Sequence, residues 1–196
     1  MPLREPDPPQ ASVTAVNEAI QSMGAQRAFS ADALLEAKPE EVQVGRQQEV
    51  YVLGLDDLRE ERKLEDARPS GWRYLVSVAG LPIALAETVT QTDGGHAFAH
   101  LNYGPFVAGT VEALSVAHRE AAEKQADVRV LYVPALYLQA LWLHTEGSDE
   151  DTLVPVAPAP PGIEVDRAYP ESALLEELRA RARAVPVTDE DDSRGG

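Results

Sequence analysis

Apolar residues recur every three or four positions in three long segments of the chain, at about residues 12–23, 105–124 and 171–185. This spacing places them on one face of a helix and predicts three amphipathic helices. Ser12 and Ser172 stand at the start of the first and third segments, where a short polar side chain can cap free helix amides. A Gly-Pro pair opens the second segment, which is expected to be the longest helix.

Two shorter segments carry weaker helical patterns. After Ser30, the apolar residues are spaced for a brief helix that Pro39 would stop. Between Asp56 and Asp66 the chain holds six acidic and three basic residues. We expect a charged helical turn or loop there, with its side chains in solvent.

Five runs are rich in β-branched and aromatic residues, as is typical of strands: 48–54, 72–80, 81–91, 96–103 and 127–133. Short turn signals separate the second, third and fourth runs from one another. These three are therefore predicted to form an antiparallel meander.

The run 135–146 is compatible with a buried helix or a strand, because its apolar residues are nearly continuous. Its aromatic residues favour a strand, which the acidic turn 146–152 would join to a short following strand. Prolines are dense at 155–162. Since proline donates no amide hydrogen bond, this stretch is expected to be extended and to lie at the border of the core.

Strands in sequence with one long helix among them predict an α+β fold. We expect an antiparallel sheet of about five to six strands, with the helix at about 105–124 packed across one face. Short N-terminal helices and a C-terminal helix complete it. The predicted organisation is a disordered lead-in (1–10), a single α+β domain (11–157), a proline-rich linker (158–170), a C-terminal helix (171–185) and a disordered acidic tail (186–196). Whether the C-terminal helix docks on its own core is left open.

The charge balance narrows the classes of partner. The chain of 196 residues has 33 acidic and 17 basic residues, for a formal net charge of −16. Such a surface repels phosphates and anionic lipid, so we expect neither nucleic acid nor membrane as a partner. The chain has no cysteine, which excludes disulfides and thiolate chemistry. Without a signal-peptide core or a membrane-length apolar run, a soluble cytoplasmic protein is expected.

His96 and His100 have the spacing of a helical metal site. On a helix, residues four apart lie about 6 Å from each other along the axis and can share one ion. On a strand, four steps separate them by about 13 Å, which is too far for joint ligation. The turn before this segment and the Gly-Pro after it favour a strand. We therefore predict no metal site here, and no cofactor elsewhere.

Strand alternation divides this segment between two faces. Small and apolar residues would pack under the long helix: Ala97, Ala99, Leu101 and Tyr103. The other face is the candidate ligand or partner surface: His96, Phe98, His100 and Asn102. Most aromatic residues of the sheet are expected to lie in the core, and a subset on its open face is a candidate recognition patch.

The other histidines and the acidic turn have simpler interpretations. His118 is expected on a helix surface, and His144 beside the acidic turn, where Glu146 or Asp149 could raise its pKa. The turn 146–152 is interpreted as a solvated hairpin tip, because the spacing of a calcium-binding EF-hand loop is absent.

The sequence contains none of the nucleophile, phosphate-loop or dinucleotide patterns that mark common enzymes. We therefore expect a non-catalytic binding protein that engages another protein, or itself, through an open sheet face or its flanking segments. One alternative is a small-ligand protein or enzyme with a pocket lined by His96, His100 and Asn102. A second alternative is an acidic regulatory or immunity-type protein that neutralises a basic partner.

Overall fold

The computed structural model describes residues 3–121, 125–165 and 167–186. Within them the chain forms nine strands and five α-helices. The strands are β1 (Leu3–Arg4), β2 (Val42–Val52), β3 (Arg68–Val78), β4 (Leu81–Thr90), β5 (His96–Asn102), β6 (Ala126–Val133), β7 (Leu138–His144), β8 (Thr152–Pro155) and β9 (Tyr169–Pro170). The helices are α1 (Gln10–Ala25), α2 (Asp32–Glu36), α3 (Leu55–Arg59), α4 (Pro105–Glu120) and α5 (Glu171–Ala184).

The strands form one open, mostly antiparallel sheet in the order β5-β4-β3-β2-β6-β7-β8-β9. Two antiparallel meanders, β2 to β5 and β6 to β9, meet where β2 pairs in parallel with β6. Strand β1 also pairs in parallel with β6. A parallel pair needs a crossover connection, and α4 lies in that connection. The α+β class and the mainly antiparallel sheet agree with the sequence analysis.

The helices lie on both faces of the sheet. We call the face covered by α1, α2, α3 and α5 the front face, and the face covered by α4 the back face. On the front, α1 and α2 pack over Trp72, Tyr74 and Val76 of the first meander. Helices α3 and α5 pack over the second meander, around Leu131 and Trp142.

Helix α4 contacts both meanders on the back face. Its Val107 packs against Leu75 and Leu85 of the first meander, while Ala113 and Ala117 belong to the apolar cluster of the second. The long helix predicted at about 105–124 is therefore present as Pro105–Glu120. Its predicted last residues, 122–124, lie outside the described residues.

The strand number exceeds the expected five to six. The difference includes the two-residue strands Leu3–Arg4 and Tyr169–Pro170. Both lie in proline-containing segments without apolar alternation. They are strands only because they pair with β6 and β8, respectively. The lead-in predicted to be disordered thus contributes a paired strand. From residue 187 onward, the predicted acidic tail lies outside the described residues.

The predicted helix caps are wrong. Helix α1 begins after Pro9 and helix α5 after Pro170, whose fixed φ suits entry into a helix. Helix α2 begins after Ala31 rather than Ser30. Ser12 instead lies inside α1 and is fully buried. Its hydroxyl lies 2.7 Å from the hydroxyls of both Tyr74 and Thr88, which ties α1 to the sheet.

Two ambiguities of the C-terminal half are resolved. The run 135–146 contains a strand, β7, which follows a turn at Tyr137 with φ of 53°. Helix α5 docks on its own core through Leu174, Leu175 and Leu178. Ile163, in the predicted linker, is buried in the same apolar cluster.

Candidate functional site

Strand β5 does not keep the alternation expected of it. Its pairing with β4 shifts register between the pairs Glu87–His100 and Thr88–Phe98. Ala99 is the extra residue of a β-bulge, at which two residues of one strand face one of the other. Beyond a bulge, side chains that would share a face are divided between the two faces.

The bulge separates the predicted ligand surface. Phe98 packs in the front cluster with α1, and His96, two residues before it, shares that side. His100 meets Glu87 on the back face, and Asn102 pairs with Leu85 there. The prediction that the four residues share one face is therefore wrong. Leu101 and Tyr103 likewise pack in the front cluster rather than under the long helix.

His100 belongs to an ion cluster that the sequence did not reveal. Arg73 is 2% exposed, and its Nε donates a hydrogen bond of 2.7 Å to Oε1 of Glu87. His100 Nε2 lies 3.3 Å from the other carboxylate oxygen, Oε2. The hydrogen bond to Glu87 raises the pKa of His100. Burial alone would raise the pKa of Glu87, but His100 and Arg73 outweigh it and lower that pKa to about 2.

The better candidate site is a cleft on the front face, above the parallel pair of β2 and β6. We call it the Arg129 cleft; its volume is about 780 Å³. Its floor comes from both meanders, and its far wall comes from the acidic turn and the first turns of α5. The residues central to it are Tyr51, Arg129, Trp142, His144, Asp151 and Ser172.

Arg129 lies over two aromatic rings. Its guanidinium carbon is 5.2 Å from the ring centroid of Tyr51 and 4.8 Å from that of Trp142. The two rings meet edge to face, with centroids 5.1 Å apart. Strand register produces this cluster, because Arg129 is the cross-strand neighbour of Glu49 in β2 and of Trp142 in β7. Within the residues that the structure describes, the Arg129 guanidinium has neither a hydrogen bond nor an ion pair.

The carboxylates beside Arg129 are already engaged. Arg4 donates hydrogen bonds to Asp127, one of which is 2.8 Å long. These hydrogen bonds, together with the positive charges of Arg4 and Arg129, lower the pKa of Asp127. The Tyr51 hydroxyl donates to Glu49 over 2.8 Å. Burial, with that hydrogen bond, raises the pKa of Tyr51 to about 12. Arg129 therefore keeps its charge and its donors for an outside acceptor.

Asp151 organises the other side of the cleft. It accepts hydrogen bonds from Trp142 Nε1 at 2.6 Å, from His144 Nδ1 at 2.9 Å and from the amide of Thr145 at 3.1 Å. With Nδ1 as the donor, the neutral imidazole of His144 has Nε2 as an acceptor. The arrangement fixes the orientation of both the Trp142 ring and the His144 ring.

The acidic turn is more than a solvated tip. Glu146 or Asp149 was the acidic residue predicted beside His144, but Asp151 is the partner that His144 contacts. Glu150 accepts a hydrogen bond of 3.0 Å from the amide of Ser172 and so serves the helix start that Ser172 was predicted to cap. Both contacts depend on how the turn folds back, which residue spacing does not give.

Arg129 and Tyr51 were not among the residues predicted from the sequence to form a site. The available signal was the alternation in β6, where Val128 and Val130 face the α4 cluster. Asp127 and Arg129 therefore lie on the opposite, front face. In this first half of β6, charges on one face and valines on the other indicate an apolar cover on the valine side only, whereas Leu131 further along the strand is buried on the front face. Which residues meet Arg129 depends on the parallel pairing with β2.

Two negative findings apply to the described ranges 3–121, 125–165 and 167–186. Three or more histidine, aspartate or glutamate side chains do not converge there in a way that could hold a metal ion. Nor does any helix there have the length and apolar character needed to cross a membrane.

No protein-family model, curated protein or solved structure matched the chain.

Proposed function

We propose that this protein is a non-catalytic binding protein that engages a protein partner at the Arg129 cleft, where Arg129 binds a carboxylate of that partner. The observation that carries the proposal is the Arg129 guanidinium, which lies over Tyr51 and Trp142 and, within the described residues, makes no hydrogen bond or ion pair. We also propose a cytoplasmic location, with which a sequence free of cysteine is compatible.

Arginine suits this role because its guanidinium is planar and always charged. Stacking on aromatic rings covers the faces of the group and leaves the in-plane N–H donors for a carboxylate. A carboxylate can accept two of these donors at once, which fixes its direction as well as its position. The occupied state of Asp127 and Glu49 removes the nearest competitors.

The composition of the cleft favours a protein partner over a small molecule. Its centre consists of tyrosine, tryptophan and arginine, the residue types that contribute most to protein–protein binding energy. Its rim carries both charge signs: Lys63 and Arg179 are basic, and Glu65, Asp149 and Glu150 are acidic. An aromatic centre within a polar rim is the usual composition of a protein interface.

The test uses one tryptophan as a reporter. The chain has two tryptophans, so W72F leaves Trp142 as the only one. An array of peptides, each with aspartate or glutamate and again with the matching amide, would be screened for binding. Selected peptides would be titrated while Trp142 fluorescence is followed. We expect acid peptides to bind and R129K to weaken them about tenfold or more, because lysine loses the stacked, two-donor geometry.

The matched control is R119A, which removes an exposed arginine from α4 on the back face. It should leave affinity unchanged. Binding that prefers acids over amides equally well in R129A would contradict the proposal, since the preference would then come from another group.

A basic partner surface is the second candidate function, favoured by the net charge of −16. It predicts affinity that falls steeply with salt, whereas the stacked Arg129 contact should be less salt-sensitive. The pocket proposed from His96, His100 and Asn102 ranks lower, because the bulge at Ala99 places His96 on the opposite side of the sheet from the other two.

A further inference from the structure

A second cleft, lined mainly by apolar residues, lies between α1, α2 and the start of β2. Its volume is about 510 Å³. Ile20, Phe29 and Leu34 form its buried floor. Most of the remaining lining is small or aliphatic: Gly24, Ala25, Leu35, Ala37, Pro39, Val42 and Val44. We call it the α1–α2 cleft.

Three of the described residues that line this cleft have polar side chains. Asn17 and Gln21 line it from α1, and Arg27 lines it from the turn that follows. The chain has 33 acidic residues, yet none is among the described residues that line this cleft. Arg27 is exposed and, within the described residues, makes no hydrogen bond or ion pair through its side chain.

The backbone at Arg27 is adverse for an arginine. Helix α1 ends in a Schellman motif, in which the amide of Ala28 donates to Met23 at 2.8 Å and that of Arg27 to Gly24 at 3.1 Å. This motif puts Arg27 in the left-handed region, with φ of 52°. Glycine is the usual residue there because other side chains are strained. The end of α1 therefore does not explain an arginine at this position.

We infer that the α1–α2 cleft binds an amphiphilic carboxylate, with its hydrocarbon chain against Ile20, Phe29 and Leu34 and its carboxylate on Arg27. The aliphatic lining excludes a strongly polar ligand, and the lone cation at the mouth selects an anionic head group over a cationic one. Volumes of this size are typical of small-ligand sites, and a chain of roughly ten carbons is a reasonable occupant.

The probe is sodium decanoate, titrated by calorimetry into the full chain below its micelle concentration. Octanoate, decanol and decyltrimethylammonium are the comparison ligands. We expect decanoate to bind and its affinity to exceed that of octanoate by about threefold to fourfold per methylene, as for a buried chain. The cationic amphiphile should bind at least about tenfold more weakly, because Arg27 repels it.

The decisive variant is R27G, which removes the charge while giving the turn its preferred residue. It should weaken decanoate about tenfold and leave decanol unchanged, while R27K should retain most of the decanoate affinity. Thermal unfolding of R27G would show that the fold is intact. R119A, far from the cleft, is the matched control for loss of an exposed arginine.

Several outcomes would overturn the inference. Among these are absence of decanoate binding, equal loss of decanoate and decanol in a folded R27G, and tighter binding of the cationic amphiphile. A fourth is a concentration-dependent dimer that L35D converts to monomer, because a second copy would then fill the cleft. None of these results depends on Arg129, so the two binding proposals stand or fall separately.

Discussion

Glu87 accepts hydrogen bonds from two basic side chains on the back face, one buried and one half exposed. At the scale of single residues, this contact is notable for Arg73, a charged side chain that is 2% exposed. Arg73 cannot reach solvent, and its Nη1 is a buried donor without a partner in the described structure. Its burial is tolerable chiefly because Glu87 stays ionised.

The first stability prediction concerns Glu87. Its pKa of about 2 lies below the ordinary 4.5, so its contribution is present above about pH 4.5 and is lost as pH falls toward 2. We expect E87Q to lower the free energy of unfolding at pH 7 by about 3 kcal/mol, because Arg73 then lacks its counter-charge. The variant should also lose most of the wild-type pH dependence between about pH 5 and 2.

Urea unfolding at several pH values measures both effects. The control is E120Q, an exposed carboxylate at the end of α4, which should match the wild type at every pH. If E87Q kept the wild-type acid profile, the stability lost in acid would have to come from other carboxylates.

At the scale of elements, α4 approaches the chain after β8 as closely as backbones permit. A Cβ on Gly109 would lie 2.1 Å from the carbonyl oxygen of Ala157. The glycine is thus required by the close crossing, although glycine is a poor helix former. The same contact holds the start of the proline-rich segment against the core.

The second stability prediction is that G109A destabilises the protein despite better helix propensity. Alanine should gain about 1 kcal/mol of propensity, but displacing backbone at Ala157 should cost more. We expect a net loss of about 1–2 kcal/mol in thermal or urea unfolding. A108S, an exposed neighbour in the same helix, should change stability by less than about 0.5 kcal/mol. A more stable G109A would contradict this prediction, because α4 could then move away from Ala157 without a loss of stability.

Elements were largely predictable from the sequence, and their boundaries and contacts less so. Periodicity located α1, α4 and α5, because each buries one apolar face. It could not reveal the bulge at Ala99, since a bulge is defined by the partner strand and the letters of β5 alternate without interruption. The helix-cap predictions failed for a similar reason. Ser12 has the residue type and position of a cap in the sequence, but in the structure its hydroxyl contacts the hydroxyls of Tyr74 and Thr88.

At the scale of the whole molecule, the two meanders share one sheet and one back-face helix. Val50 of β2 pairs with Val130 of β6, and both lie in the cluster that contains α4. The parallel pair could not be predicted from the sequence, because β3, β4, β5 and α4 lie between its two strands. Neither the Arg129 cleft nor its aromatic floor could be assembled without it.

This continuity predicts a single unfolding transition. Trp72 reports the first meander and Trp142 the second, so W72F and W142F each leave one reporter. In each variant, the urea midpoint from tryptophan fluorescence should coincide with that from far-UV circular dichroism, since neither half can open without exposing the shared core. A fluorescence midpoint that departs from the dichroism midpoint would show that one meander unfolds alone.

The bulge in β5 has one further consequence, for how the sheet ends. Strand β5 is an outer strand, and an outer strand leaves amides and carbonyls free to recruit another chain into fibril-like assemblies. Because Ala99 is the extra residue of the bulge, an incoming strand could form regularly spaced backbone hydrogen bonds over only a few residues on either side of it. The residue that separates His96 from His100 thus also makes this border a poor template for aggregation.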